Sequence, residues 1–422
     1  MELPTECLHA GYSPKSGEAR ALPIYQSTTF CYDTTQEVAN LFDLKTAGFF
    51  YSRLGNPTVD AIEKKIAVLE GGVGAMCTSS GQAATFAAIL TLAKNGDHII
   101  SSSNIYGGTY NLFAVTFKRF GIEVSFVDQD ASADEIASHI KDNTKAIFAE
   151  TIANPSMAVL DIKKFADLAH AHKLPLIVDN TFATPYLCRP FEYGADIVIH
   201  STTKYLDGHA SVVGGVIVDS GRFDFAGNER FCEFNEPDES YHGLIYTRDF
   251  GNMAFIVKAR VQIMRDIGCA QSAHGAFLIN HGLETLPMRM QRHSANALCV
   301  AKFLQGCDEV SKVHYPGLEG DKYYYLAQKY LKKGQSGVIS FELKGGREAG
   351  ARFIDALKLI SLQVHVADIR SCILHPASST HRQLSDEQLQ SAGISAGLVR
   401  LSVGLEDVND IIKDLEQAFL GM

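Results

Sequence analysis

A chain of 422 residues, 46% hydrophobic and 20% charged, has the makeup of an ordinary globular protein of two or three domains with no bias toward disorder. Its net charge of −10 argues against a general surface for nucleic acid or anionic membrane, because both need clustered Lys and Arg. Nine scattered cysteines without a CxxC pair suit reduced thiols better than a disulfide framework or a zinc site. The polar start "MELPTECLHAGYSPKSG" lacks a signal-peptide pattern, and no apolar run approaches the roughly 18 residues of a membrane span. The expected setting is the cytoplasm.

In chain order, the first fifty or so residues look irregular, and "SPKSGEARALPIYQSTTF" is rich in turn formers. "AIEKKIAVLEGG" predicts an amphipathic helix stopped by glycine, and "AMCTSS" a short strand. "GQAATFAAILTLAKNGD" predicts a second helix leaving through Gly96. Next come the strand-like runs "HIISSS", "EVSFVD", "TKAIFAET", "PLIVDN" and "ADIVIHS", several preceded by a helical stretch such as "IKKFADLAHAHK". This alternation predicts an α/β fold: a mostly parallel central sheet covered by helices on both faces. From about residue 273 the helices lengthen ("NALCVAKFLQ", "REAGARFIDAL", "DVNDIIKDLEQAFL") among strands such as "GVISFEL" and "LVRLSVGL", as in a smaller C-terminal α/β domain. The expected division is 1–55 as an N-terminal arm, 56–272 as a large domain and 273–422 as a C-terminal domain.

Ligands of such sheets sit beyond the carboxyl ends of the strands. There the sequence places Ser80-Gly81-Gln82 at a helix start, Tyr106 after "HIISSS", Asn154 after "AIFAET", Asp179 after "PLIV", and Ser201, Thr203 and Lys204 after "DIVIH". A helix opening with glycine suits a phosphate, and the hydroxyls of Ser201 and Thr203 can join it. Asp179 can hold a positive charge on a ring nitrogen, Tyr106 can stack on the ring, and Lys204 can form an imine with an aldehyde. Together these describe pyridoxal phosphate (PLP). Taken singly, each has a plainer reading: Gly81 as an ordinary helix opening, Asp179 as a helix cap, Tyr106 as packing, Lys204 as a solvated side chain. Asp179 and Lys204, however, end consecutive predicted strands, which puts them at one rim.

The chain resembles the cystathionine γ-synthase/methionine γ-lyase group of PLP-dependent enzymes. The likeness rests on "ADIVIHSTTKYLDGH", "YSRLGNPT", "SSGQAA", "YGGTY", "ETIANP", "IVDNTFATP", "HPASSTH" and "LVRLSVGLED", and covers essentially the whole sequence. It implies the aminotransferase-like fold known as fold type I. It also implies Lys204 as the lysine that binds the cofactor and shuttles protons, and Asp179 as partner of the pyridine nitrogen. Tyr106 becomes the stacking tyrosine and a proton carrier. Gly81, Gln82, Ser201 and Thr203 become the phosphate cradle, and Asn154 a contact of the ring hydroxyl. Arg400 would clamp the substrate α-carboxylate, a bidentate task suited to guanidinium, with Ser371 helping through its backbone. Tyr51 and Arg53 would reach the phosphate of the neighbouring subunit, which implies a homodimer with shared sites, doubled to a homotetramer.

Within this group, "FNEPDESYHGLIYTRDFG" and "HVADIRSCILHPASSTHRQL" resemble segments of O-acetylhomoserine sulfhydrylases, and Gly108 stands where methionine γ-lyases commonly carry cysteine. The implied reaction is γ-replacement: sulfide and O-acetyl-L-homoserine give L-homocysteine and acetate. The alternatives are methionine γ-lyase and cystathionine γ-synthase or lyase activity. From other classes, a nicotinamide-dependent dehydrogenase is disfavoured because "GGVGAM" lacks the last glycine of GxGxxG. A non-catalytic scaffold is hard to reconcile with the lysine, acid and arginine together. His375 and His381 match no helix-face spacing for a metal, and none is expected.

Overall fold

The computed structural model describes residues 1–379, 382 and 395–421. Its first sheet has seven strands: β1 (Gly74–Thr78), β2 (His98–Ser102), β3 (Glu123–Val127), β4 (Thr144–Glu150), β5 (Leu176–Asp179), β6 (Ile197–His200) and β7 (Gly215–Asp219). Their order is β1-β7-β6-β5-β4-β2-β3. From β6 across to β3 every pairing is parallel, whereas β7 runs antiparallel to both its neighbours. The mostly parallel sheet expected from sequence is thus present, with one reversed strand that the pattern reading did not separate from its glycine-rich surroundings. Two antiparallel steps restore direction, so β1 ends at the same rim as β4, β5 and β6.

Both faces of this sheet are covered, and for that reason its strands read as continuous apolar runs. One face packs Ile100, Ile147, Val178 and Val198 against the helices around Ile62, Ile66 and Phe165. The other packs Ile99, Phe148, Ile177 and Ile199 against Ala84, Ile89, Phe113 and Phe255. Helix α3 (Pro57–Glu70) begins on an Asn56 cap and stops at Gly71, whose φ of 81° only glycine adopts readily. Helix α4 (Gly81–Leu92) begins on Ser80, whose side chain accepts from Ala83 N–H. It ends at Leu92, four residues before the expected exit. Gly96 instead takes a left-handed turn in the loop that follows.

The first fifty residues are less irregular than they read. Helix α1 (Leu3–His9) buries Leu3 and Cys7, and α2 (Thr35–Phe42) carries a capping box on Thr34 and Glu37. With seven and eight residues, neither is long enough to display a helical period. A 33-residue helix, Ala273–Gln305, then leads to a second sheet of β8 (Val310–His314), β9 (Val338–Leu343), β10 (Ser361–Leu362), β11 (Cys372–Leu374) and β12 (Leu398–Ser402). Its order is β10-β11-β12-β9-β8, antiparallel except for the β10–β11 pair. Its own core joins Ile339, Phe341, Val399 and Leu401 to Phe353 and Leu415.

Candidate active site

The rim of the first sheet gathers the polar strand ends. Glu150 at the end of β4 lies in register with Asp179 at the end of β5, and Asp179 lies opposite Ile199 of β6. Four residues past β6, Lys204 sits in a turn closed by Lys204 N–H to Ser201 O (3.2 Å), Asp207 N–H to Thr202 O (2.9 Å) and Gly208 N–H to Lys204 O (2.7 Å). Beneath the rim, His200 and Glu70 are wholly buried. His200 Nε2 lies 2.5 Å from Glu70 Oε1, which also accepts from Asn180 Nδ2 at 3.0 Å. The ends of β5 and β6 are therefore tied to the last residue of α3.

The two carboxyls differ in what holds them. Asp179 Oδ1 accepts from Thr181 N–H at 3.0 Å and from Thr181 Oγ1 at 2.5 Å. Burial raises its pKa, against the lowering effect of those bonds and of His200. Glu150 is pushed well above the carboxylate range, by burial first and by Asp179 second. Two buried acids at neighbouring strand ends do not both ionise readily. Glu150 Oε1 also accepts from Tyr106 N–H at 2.6 Å, which fixes the loop after β2 to the end of β4.

Around them stand the other residues singled out from sequence. Tyr106 leaves half its surface exposed, and its ring lies over Gly108, where an added Cβ would meet ring carbon Cε1 at 2.4 Å. Gln82 Oε1 accepts from Thr109 Oγ1 at 3.0 Å. Gly81 approaches Ser201 so closely that a Cβ there would lie 2.6 Å from the serine Cβ. The first N–H groups of α4, which no helical carbonyl can satisfy, begin at this contact. The Thr203 hydroxyl is engaged by Gly214 in both directions, at 3.1 and 3.0 Å.

Arg400 reaches the rim from β12 and is 9% exposed. Its Nη1 donates to Asn154 Oδ1 at 3.3 Å and its Nη2 to the carbonyls of Val364 (3.0 Å) and His365 (3.4 Å). These bonds use at most three of five N–H donors. Lys204 feels this guanidinium: burial first, then Arg400, lowers its amine from 10.5 to about 8. Ser371 is turned to other work. Its N–H and hydroxyl donate to Glu406 at 2.6 and 2.9 Å, and its carbonyl accepts from Ser361.

Tyr51 and Arg53 stack as a cation–π pair at 5.1 Å, and Arg53 Nη1 donates to Arg265 O. Among the described residues they make no hydrogen bond or ring contact with Lys204, Asp179 or Tyr106 of their own chain. His375 is a buried structural histidine bonded to Ser378 Oγ and Ala396 O, while His381 lies outside the described residues. No group of three or more His, Cys, Asp or Glu suited to a metal occurs among the described residues, and none of their helices is long and apolar enough to cross a membrane.

Two neighbours of the site were not singled out from sequence. Glu150 was legible in principle, as a strand-end acid one strand from Asp179. His365, whose Nδ1 lies 3.4 Å from Lys204 Nζ, was not: 161 residues separate the two, and no local pattern links them.

The family model described as Cys/Met metabolism PLP-dependent enzyme matches residues 4–420. An O-acetyl-L-homoserine sulfhydrylase of Leptospira meyeri is 47% identical, over 98% of this chain and 96% of the relative. A homocysteine synthase of Schizosaccharomyces pombe is 48% identical, over 97% and 96%. A Campylobacter jejuni crystal structure, described as an O-acetylhomoserine (thiol)-lyase with a pyridoxyl-lysine phosphate, superposes with a TM-score of 0.96 at 40% identity over the full length of both chains.

Proposed function

The chain belongs to the Cys/Met metabolism PLP-dependent enzymes, and from that membership and the geometry of the rim we infer that it is an O-acetylhomoserine sulfhydrylase. It uses pyridoxal 5'-phosphate to join sulfide to O-acetyl-L-homoserine, giving L-homocysteine and acetate. One observation carries the reading: a buried carboxylate and a desolvated lysine follow neighbouring parallel strands, and an arginine from the second sheet faces the same lysine.

The residues fit the cofactor. The start of α4 and the close Gly81–Ser201 approach leave bare backbone for a phosphate, with Gln82 beside it and Thr203 two residues past Ser201. The Asp179 carboxylate, unfavourable alone in a buried setting, is suited to a cationic ring nitrogen, and Asn154 to the ring hydroxyl. Bound there, PLP supplies an aldehyde for an amine and a ring that takes up the electron pair left when a Cα proton departs.

This chain's side chains do the rest. With its amine held near 8, Lys204 is partly neutral at cytoplasmic pH and can remove and return the Cα proton. Arg400 holds the substrate α-carboxylate with its remaining N–H donors, and its existing bonds to Asn154 and to two carbonyls keep the guanidinium oriented. Ser371 helps this clamp through its backbone, which is held by Glu406 and Ser361. Tyr106 covers the ring and carries a proton at the Cγ end, where acetate leaves and sulfide enters. Tyr51 and Arg53 reach the phosphate of a neighbouring subunit, so the working unit is a homodimer with shared sites, doubled to a tetramer and acting in the cytoplasm. The residue ranges 1–55, 56–272 and 273–422 then serve as exchanged arm, cofactor domain and substrate-clamping domain.

Product analysis tests the reading. O-acetylhomoserine, O-succinylhomoserine, methionine and cystathionine are each supplied with and without sulfide. Homocysteine should form from the acetyl ester only when sulfide is present. Formation of 2-oxobutyrate from methionine at a comparable rate would move the enzyme to the lyases.

A further inference from the structure

The segment 234–251, "FNEPDESYHGLIYTRDFG", supplies none of the residues at the rim, yet it packs on the helix that holds Arg53. It closes on itself: Asp238 and Leu244 pair as an isolated antiparallel bridge, and Asp238 Oδ2 accepts from the Tyr246 hydroxyl at 2.7 Å. Next in the chain, Ala254–Lys258, Ala259–Met264 and Arg265–Ile267 run on as one helix, with the middle part wound as a π-helix. Such wide turns are uncommon and recur near functional sites.

The wide turn frees a carbonyl. Arg265 N–H donates to Arg260 O and Gln262 O and passes over Val261 O. The Tyr241 hydroxyl donates to Val261 O instead, at 2.8 Å, and the Arg265 guanidinium lies over the Tyr241 ring, 5.0 Å from its centroid. Farther back, Lys258 Nζ lies 4.9 Å from the centroid of the Tyr246 ring and 5.5 Å from that of Phe234. Lys258, Val261 and Arg265 follow one another at three- and four-residue steps, so the segment grips one face of the helix.

The N-terminal arm is held by the same helix. Arg260 Nη1 donates to Leu54 O at 2.8 Å, and Arg53 Nη1 donates to Arg265 O. Arg265 O is one of the last four carbonyls of the helix, at the negative end of its dipole, where a guanidinium is favoured. With its own side chain engaged by Tyr241 and by Asp266 at 2.9 Å, Arg265 leaves this carbonyl to Arg53. Leu44 of the arm packs on the same apolar core as Tyr241 and Leu244. Past Gly268 the chain turns back, and Cys269 O accepts from Ser79 N–H at 2.8 Å, next to the start of α4.

We propose that the 234–251 segment aims the arm: by holding Val261 O and the Arg265 guanidinium, Tyr241 fixes the helix end on which Arg53 rests, and so sets how Arg53 meets the phosphate in the neighbouring subunit. A guanidinium already seated loses less freedom when it binds. It exchanges a neutral carbonyl for a charged acceptor, which makes the stronger bond. Tyr241 touches neither substrate nor cofactor; it is a positioning residue, and its effect is felt in the other chain.

The proposal rests on the shared-site reading above, and its test tells the two apart. Each working chain is mixed, under subunit exchange, with a large excess of a Lys204→Ala chain, so that nearly every working lysine is served by the arm of the excess chain. Pyridoxal phosphate is added in steps, borohydride fixes what is bound to Lys204, and the label on the working chain is read by mass spectrometry. With wild type as the working chain and Lys204→Ala/Tyr241→Leu in excess, half-labelling should need about 10-fold more cofactor, the low end of the worth of a charge-assisted hydrogen bond. With Tyr241→Leu as the working chain and Lys204→Ala in excess, labelling should match that of wild type mixed with Lys204→Ala. Tyr241→Phe, which keeps the ring over Arg265, should repeat the pattern more weakly. A loss that follows the working chain, a loss in both arrangements, or no loss in either overturns the role of Tyr241. A Lys204→Ala/Arg53→Ala chain in excess that leaves the labelling of wild type unchanged overturns the shared site and the proposal with it.

Discussion

Replacing Lys204 by methionine should make the cofactor-free protein more stable while abolishing turnover. Burial and Arg400 lower this amine from 10.5 to about 8. Between those values the unfolded chain binds a proton that the folded chain does not, so stability rises with pH across the window and the full cost is present below pH 8. At about 1.4 kcal/mol per pH unit, the drop corresponds to about 3 kcal/mol at pH 7, falling to about 1 kcal/mol near pH 9.5. Lys204→Met keeps the length of the side chain, removes the charge and loses only the long contact to His365. Urea unfolding of both proteins at equal concentration, followed by far-UV circular dichroism because the chain has no tryptophan, measures the difference as a shift in midpoint at constant slope. A gain at pH 7 that shrinks toward pH 9.5 is expected. No gain at pH 7, or a gain that does not depend on pH, would refute the assignment of Lys204 as a strained, partly neutral amine.

Arg400→Lys should raise KM for the amino-acid substrate and lower kcat/KM by about 10- to 100-fold, the worth of one lost charge-assisted hydrogen bond, with cofactor absorbance retained; an unchanged KM would remove Arg400 from the carboxylate clamp. Gly108→Cys should push the Tyr106 ring from its seat, since the new Cβ falls 2.4 Å from a ring carbon; kcat should fall with little change in thermal stability, because the ring is half exposed, and an unaltered kcat would argue against Tyr106 acting at Cγ. Mixing inactive Lys204→Ala and Arg53→Ala chains with subunit exchange should restore roughly a quarter of wild-type activity, as random dimers with shared sites require; no recovery would mean each chain builds its site alone.

Much of this was legible before any coordinates. The runs from "AMCTSS" to "ADIVIHS" are strands because a sheet buried on both faces needs unbroken apolar stretches, and the glycine of "VLEGG" stops α3 because the chain turns through positive φ there. Lys204 and Asp179 were found because period and topology put the ends of parallel strands at one rim. β7 was missed: "GVIVD" is apolar like its neighbours, but nothing local says that it runs backwards. The helices near the N-terminus were missed because seven or eight residues are too few to display a period.

What the sequence could not show is how the lysine turn is held. The long helix Ala273–Gln305 reads as broken, with Gly275, Gly282 and Pro287 interrupting its pattern, so only its last turns look helical. Gly282 is small for a reason that lies 75 residues away: a Cβ there would stand 2.2 Å from Leu206 O and 2.3 Å from Asp207 O, the backbone just after Lys204. From the next turns of that helix, the buried Arg289 donates Nη1 to Tyr205 O at 2.8 Å and Nη2 to Gly282 O at 2.6 Å. A positive side chain and a missing methyl on one helix therefore seat the turn that presents the amine. The same turn receives the His365 loop through Gly208 and His209. Features that weaken the helical signal in the sequence are the ones that let helix, lysine turn and histidine loop pack together. A reading based on local period passes over them because their cause is a contact between distant parts of the chain.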